Sequence, residues 1–262
     1  MGVQMATKPA TRRDQHGAGH SYVLDGERVP GVTSILSDGF PKPALVDWAA
    51  RATAGYAFDN WERLAQMGPA ERLRSMEKGR FDRTDEAKTI GSRVHAYAAE
   101  ILAGERVLIP DAYVGPVEQC LAFLDDYDVA ELAYEAMVIN RRWRYCGTLD
   151  LLATVNALDG SPTAVIDWKT GLSGVFPEHA LQVAAYAHAE TFLIGEGDEI
   201  VMPAVQVGLA VQLRADSYDV WPLDISEAAY RTFLYVAQVA TFRNLPRGQV
   251  IGEPLPQRKA TA

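Results

Sequence analysis

Three β-prone runs in the middle of the chain, EAMVIN (135–140), YCGTLDLLATV (145–155) and TAVIDWKT (163–170), constrain the fold most strongly. The polar stretches 141–144 and 156–162 separate them in the manner of hairpin loops, so they read as consecutive strands. Two of the runs carry charge inside an otherwise apolar strand. Side chains alternate faces along a strand, so Asp167 and Lys169 share one face. A carboxylate beside an ammonium within TAVIDWK is costly unless the two pair or bind something. Asp150 interrupts LDLLATV in the same way. If these strands are neighbours, two carboxylates and a lysine converge, and carboxylate oxygens with water suit a hard cation such as Mg2+ or Mn2+. The plain alternative is an ion pair between Asp167 and Lys169 at a strand end.

Around this centre the pattern alternates. A helix is expected over 178–194, strands in AVQVGLAVQL and YDVWPL, and a last helix over 226–242. Upstream, SYVLDGERVPGVTSIL reads as a hairpin around Asp25-Gly26. PKPALVDWAARATAGYAF turns helical, with Pro43 suited to a first turn. From Asp59 to Leu102 the pattern stays helical with a break near Gly79. Thr84 is the expected N-cap of the last segment, whose stripe is Ala87, Ile90, Val94, Ala98 and Ile101. Another helix is expected from Val114 to Val129. The expectation is one α/β domain over 21–245: a mixed central sheet flanked by helices, with a helical N-terminal elaboration. Residues 1–20 read as a disordered tail and 246–262 as a C-terminal tail. His16 and His20, in the first of these, receive no role.

With 48% hydrophobic and 23% charged residues, the 262-residue chain has globular values, which argues against a disordered, collagen-like or coiled-coil protein. No stretch approaches the ~18 apolar residues of a membrane span, and the first twenty residues lack the apolar core of a secretory signal. Cys120 and Cys146 are too few for a disulfide framework or a four-thiolate metal site, so a reducing, cytoplasmic setting is the default. Cys120 reads as a buried helix residue and Cys146 as a small apolar filler. The net charge of −9 argues against a protein that coats nucleic acid, but leaves room for an enzyme with one basic channel.

The ordered set Gly147-Thr148-Leu149-Asp150, Ile166-Asp167-Trp168-Lys169-Thr170-Gly171 and Gln182-x-x-x-Tyr186 resembles the RecB-like branch of the PD-(D/E)XK nuclease superfamily. That branch includes the nuclease domains of RecB-type helicase–nucleases, CRISPR-associated exonucleases and many phage exonucleases. Gly91-Ser92-Arg93-Val94-His95 looks like the histidine motif such proteins place on an upstream helix. Val32-Thr33-Ser34-Ile35-Leu36 and Pro41-Lys42-Pro43-Ala44-Leu45 are similar to phage and actinobacterial members. The matched pieces span Val32 to Tyr186. Leu149 stands where the superfamily's eponymous proline would be, as is usual in this branch. The four cysteines of cluster-bearing relatives are absent, so no iron–sulfur cluster is expected.

The resemblance implies a restriction-endonuclease-like core and metal-dependent hydrolysis of DNA, by an exonuclease of recombination or repair, located in the host cytoplasm if phage-encoded. His95, Asp150, Asp167 and the Trp168 carbonyl would hold Mg2+ or Mn2+, and the Trp168 side chain would face the core. Lys169 would position or activate the water. Gln182 and Tyr186, one helical turn apart, would contact DNA or brace the lysine. Without the motifs, His95 is a histidine at the edge of an apolar stripe, and Gln182 and Tyr186 are a boundary pair. Glu135 is a candidate additional acid. Arg141, Arg142 and Arg144 flank Trp143 and read either as a clamp on a phosphate backbone or as a solvated hairpin tip. Thr33 and Ser34, placed before a helix, read as phosphate contacts or ordinary caps. DNA is the expected partner, with a strand-annealing or recombinase protein implied by family and no membrane. The alternatives are a structure-specific or restriction-like endonuclease on the same site, a catalytically inactive DNA-binding module, and a metal enzyme acting on a small phosphorylated substrate.

Overall fold

A computed structural model describes residues 10–255 apart from 17, 18, 172, 173 and 196; the side chains of 43–45 and 80–90 lie outside that description. The stripe residues Ala87 and Ile90, the motif residues Pro43, Ala44 and Leu45 as side chains, and the outer parts of both expected tails therefore fall outside the described residues. In chain order the elements are β1 (Arg12–His16), β2 (Gly19–Leu24), β3 (Glu27–Val29), α1 (Val32–Gly39), α2 (Pro43–Asp59), α3 (Trp61–Ala65), α4 (Pro69–Leu102) and α5 (Asp111–Asp126). They continue with β4 (Val129–Asn140), β5 (Tyr145–Val155), β6 (Thr163–Lys169), α6 (Pro177–Ala187), β7 (Thr191–Leu193), β8 (Ile200–Val201), β9 (Val207–Leu213), β10 (Tyr218–Leu223), α7 (Glu227–Arg243) and α8 (Arg247–Val250).

The fold is α/β with a mixed central sheet in the order β10-β9-β6-β5-β4-β7-β8. β6 and β9 pair in parallel; the other neighbours are antiparallel. β6 and β9 are almost continuously buried, as strands covered on both faces must be, which is why their sequences run apolar rather than alternating. On one face α1, α6 and α7 bury Ile35, Val183, Tyr186 and Phe233 against Leu149, Leu152 and Val165. On the other, the C-terminal part of α4 and α5 bury Val94, Ala98, Cys120 and Phe123 against Leu151, Ile166, Trp168 and Val211. A second sheet, β1-β2-β3, seats Tyr22, Leu24 and Val29 on Met137, Ile139, Cys146 and Leu193. Ala136 and Val138 belong to the first face, so Met137 and Ile139 point to the second, and the small sheet shares that face with α4. Among the described residues, no helix is long and apolar enough to cross a membrane.

Several expectations are corrected. β1 lies inside the expected N-terminal tail, where RRDQH carries no apolar alternation and gains its order by pairing with β2. α4 starts after Gly68 and runs unbroken through Gly79 and Thr84, so Thr84 is not an N-cap. Gly79 marks a close crossing instead: a side chain there would collide with the Tyr56 ring of α2. The helix expected to reach Ile194 stops at Ala187, because Thr191–Leu193 pair with Ile139, Val138 and Met137 of β4. Thr33 and Ser34 lie within α1, whose N-cap is Gly31, so neither precedes the helix. α8 occupies part of the expected C-terminal tail.

Candidate metal centre

The floor of the site is a fault in the pleat of the central sheet. β4 and β5 hold one register through Ala133↔Leu152, Tyr134↔Leu151 and Ala136↔Leu149. Yet Ala133 and Ala136 pack on the same face, as do Leu149 and Leu152. Residues three apart in a regular strand face opposite ways, so the alternation slips once on each strand, at the facing residues Glu135 and Asp150. Glu135 absorbs the slip with φ 46°, a left-handed conformation that costs a non-glycine residue about 1–3 kcal/mol. Asp150 turns to the α4 side with Leu151. There α4 delivers His95, one turn beyond Gly91, which passes so near Thr170 that an added Cβ would lie 3.1 Å from its Oγ1. His95 Nδ1 is 3.2 Å from Asp150 Oδ1. His95, Glu135 and Asp150 each present a ligand atom within 4.8 Å of the others.

Asp167 sits beside this trio and not within it. The β5–β6 pairing ends at Leu151↔Ile166, so Asp150 and Asp167 stand where the strands part. Asp150 Oδ2 accepts the Trp168 N–H at 2.8 Å, taking the place of a missing strand partner. Asp167 faces α6, where its Oδ1 accepts from Gln182 Nε2 at 3.0 Å. Gln182 Nε2 also donates to Tyr186 Oη at 3.1 Å. Lys169 Nζ lies 2.5 Å from Asp167 Oδ2. Apart from this ion-pair contact, Oδ2 is buried without a hydrogen-bond partner. The Trp168 side chain is in the core, edge-on to Phe123 at 5.7 Å.

The charges are crowded. Burial opposes a charged His95, but the Asp150, Asp167 and Glu135 carboxylates outweigh it and raise the imidazole to about 9. Burial would raise Asp150, yet His95, Lys169 and the Trp168 N–H hold it below the usual carboxylate range. Burial and Asp150 lift Asp167 to about 6 against the pull of Lys169 and His95. Glu135 is raised by burial and by Asp150, with partial relief from His95 and Arg13. Lys169 is raised too: burial disfavours its charge, but Asp167 and Asp150 together favour it more. The lysine stays charged because it faces two acids. Crowded carboxylates and an imidazole with a displaceable proton fit a divalent cation. His95, Glu135 and Asp150 can ligate it.

The arginine hairpin has other work. Arg141 holds Asp25 at 3.2 Å and Glu199 at 2.6 Å, and Arg144 holds Glu27 at 2.5 Å. The Arg142 guanidinium lies over the Trp143 ring at 5.5 Å. Arg141 and Arg144 brace the β4–β5 turn against the β2–β3 turn and against Glu199 before β8. The β4–β5 turn lies roughly 17 Å along β5 from Asp150, at ~3.4 Å per residue. Ser34 is exposed on α1. Cys120 and Cys146 are buried free thiols, both pushed up to about 12 chiefly by burial. Sequence reading missed Arg13, whose Nη1 lies 3.6 Å from Glu135 Oε2; an all-polar strand gave no periodic signal to find it by.

No family model matches the chain, and no curated protein matches it. Among solved structures, the crystal structure of SSO0001 is similar at 18% identity over 59% of this chain and 73% of that one, with a TM-score of 0.32.

Proposed function

We propose that this chain is a metal-dependent deoxyribonuclease with a restriction-endonuclease-like core, of the RecB-like branch of the PD-(D/E)XK superfamily, acting as an exonuclease in DNA recombination or repair. One observation carries the reading. His95, Glu135 and Asp150 meet within 4.8 Å, next to the Asp167–Lys169 ion pair whose Oδ2 is otherwise unpartnered. Residues from three separate motifs, together with Glu135, supply these adjoining groups, and solvent-exposed decoration has no need of that.

His95, Asp150 and Glu135 would hold Mg2+ or Mn2+, with Asp167 and the Trp168 carbonyl joining by resemblance. A bound cation lowers the pKa of its water and neutralises charge growing on a phosphoryl oxygen. Lys169, kept as an ammonium by Asp167 and Asp150, orients the attacking water and stabilises the negative charge that builds on the phosphate. Being protonated, it is not the base. Gln182 fixes Asp167 through Oδ1, and Tyr186 fixes Gln182. In the reaction the water oxygen bonds to phosphorus and gives up a proton, the ester P–O bond breaks, and the leaving oxygen takes up a proton. A strand-annealing or recombinase partner suits an exonuclease that exposes single strands.

Incubation with Mg2+ or Mn2+ and end-labelled linear or covalently closed circular DNA tests this. Progressive loss of linear DNA with circles intact is expected. Rapid nicking of circles would favour an endonuclease on the same site, and no cleavage of either would overturn the nuclease reading.

A further inference from the structure

Arg13 reaches the metal centre from outside the central sheet. Its Nη1 is 3.6 Å from Glu135 Oε2, with about one third of each side chain exposed (33% and 34%). Its Nη2 is 3.4 Å from His20 Nδ1. Burial and the nearby arginine both hold His20 below its ordinary pKa, so a neutral ring can accept from the guanidinium. His20 Nε2 meets Tyr22 Oη at 3.0 Å, and Tyr22 Oη meets Thr148 Oγ1 at 2.8 Å, two residues from Asp150.

The register of β1 and β2 builds this arrangement. Arg13 opposes Tyr22 and Gln15 opposes His20, so all four share one face of the small sheet. The apolar end of that face, with Tyr22 and Leu24, is anchored on Met137, Ile139 and Cys146. Its polar end projects over Glu135. α4 stands on the same side of the central sheet and supplies His95. The trio therefore lies between a helix and a strand ribbon, with a guanidinium on the ribbon side.

A positive charge beside would-be cation ligands needs a reason. As a mere ion pair, one-third exposed, it adds little, while it competes with the cation for Glu135. A planar guanidinium is, however, matched to the oxygens of a phosphate. We propose that Arg13 is a phosphate-binding residue of this site: it takes a backbone phosphate of the bound DNA strand, with His20 and Tyr22 holding it in place, so that the β1–β2 ribbon forms one wall of the strand's channel. This rests on the nuclease reading and adds how the site grips its substrate.

The test uses the full chain carrying Asp167→Asn to arrest cleavage, with Arg13 intact, Arg13→Gln or Arg13→Lys. Oligonucleotide affinity is measured by fluorescence anisotropy in Mn2+ across a salt series, and Mn2+ affinity by calorimetry without DNA. Arg13→Gln should weaken DNA binding about tenfold, the equivalent of one charge-assisted contact. The salt slope should fall by about 0.9 on duplex or 0.7 on single strands. Arg13→Lys should keep the slope and recover part of the affinity. Mn2+ affinity should stay or rise. Unchanged DNA affinity and slope in Arg13→Gln, whatever happens to Mn2+, would make Arg13 a counter-ion of Glu135 and overturn the proposal. Inorganic phosphate at constant ionic strength should compete with DNA for the intact site and less for Arg13→Gln; phosphate binding that depends on Arg13 while Arg13→Gln leaves DNA affinity unchanged would mark a free-phosphate site and overturn the proposal. The two readings fail separately. If Arg13→Gln loses DNA while the unmodified chain cleaves nothing, the nuclease reading falls and this one stands; cleavage by the unmodified chain with no binding loss in Arg13→Gln gives the reverse.

Discussion

Tyr186 lies directly over Gly147. A Cβ at residue 147 would fall 2.5 Å from Tyr186 Cε1 and 3.2 Å from Val32 Cγ2. The missing side chain lets α6 settle onto β5, and that approach brings Gln182, one turn before Tyr186, to Asp167. The G-x-x-D and Q-x-x-x-Y motifs are thus two sides of one contact, which sets the distance between the helix and the charged strand ends.

Gly147→Ala should therefore overpack this contact and cost about 1–3 kcal/mol in urea unfolding. In a Tyr186→Leu background the same substitution should cost less, giving a measurable coupling in the double-mutant cycle. Equal costs in both backgrounds would mean that the two residues are independent.

Metal-free stability should fall between about pH 6.5 and 9. His95 is raised from 6.5 to about 9 in the fold, so its contribution is complete below the unfolded value and disappears as pH rises through the folded one. Asp167, raised from 3.8 to about 6, loses its contribution earlier in the same direction. Asp150 is lowered, so its contribution is present above 3.8 and is lost as pH falls below. A cation must displace the proton on His95, so Mn2+ affinity should rise with pH across the His95 window. Urea unfolding in chelator and Mn2+ titrations at both ends of the window check this, and His95→Gln should flatten both profiles.

Asp150→Asn should destabilise the chain in chelator by about 2 kcal/mol, because His95 loses its charged partner while the Trp168 N–H keeps an acceptor. Mn2+ at a hundredfold excess over its dissociation constant should stabilise the wild type by about 2.7 kcal/mol and the variant much less. Thermal melts of both proteins with and without Mn2+ measure the difference. A full wild-type metal shift in the variant would remove Asp150 from the ligand set.

Replacing Arg141 and Arg144 together with Ala should leave DNA affinity and its salt slope unchanged, because the turn that carries them lies roughly 17 Å along β5 from Asp150, at ~3.4 Å per residue, and its guanidiniums brace neighbouring turns. The loss in stability should be below about 1 kcal/mol per exposed pair and should shrink in high salt. Anisotropy titrations and melts in low and high salt read both effects.

The central strands were legible because burial wrote itself into them. TAVIDWK and VGLAVQL are apolar on both sides, and the charged residues that interrupt the buried runs of β5 and β6, Asp150, Asp167 and Lys169, are those found at the site. The slip at Glu135 was not legible, since its cause is a backbone angle and its neighbours are small apolar residues on either reading. β1 was hidden because RRDQH borrows its order from β2. Gly79 looked like a helix break because a glycine at a helix crossing and one at a helix end read alike; only Tyr56, from another element, separates them. The bracing contacts of the arginine hairpin were not legible because the acids that engage it come from distant turns.

The most direct measurement is cleavage of end-labelled DNA in Mn2+ by purified wild type, Asp167→Asn and Lys169→Ala, with circular dichroism to show an unchanged fold. The wild type should cleave, and each variant should be slower by about a hundredfold or more, since each removes a charge that acts on the reacting phosphate or holds the group that does. Full activity in either folded variant would contradict the account.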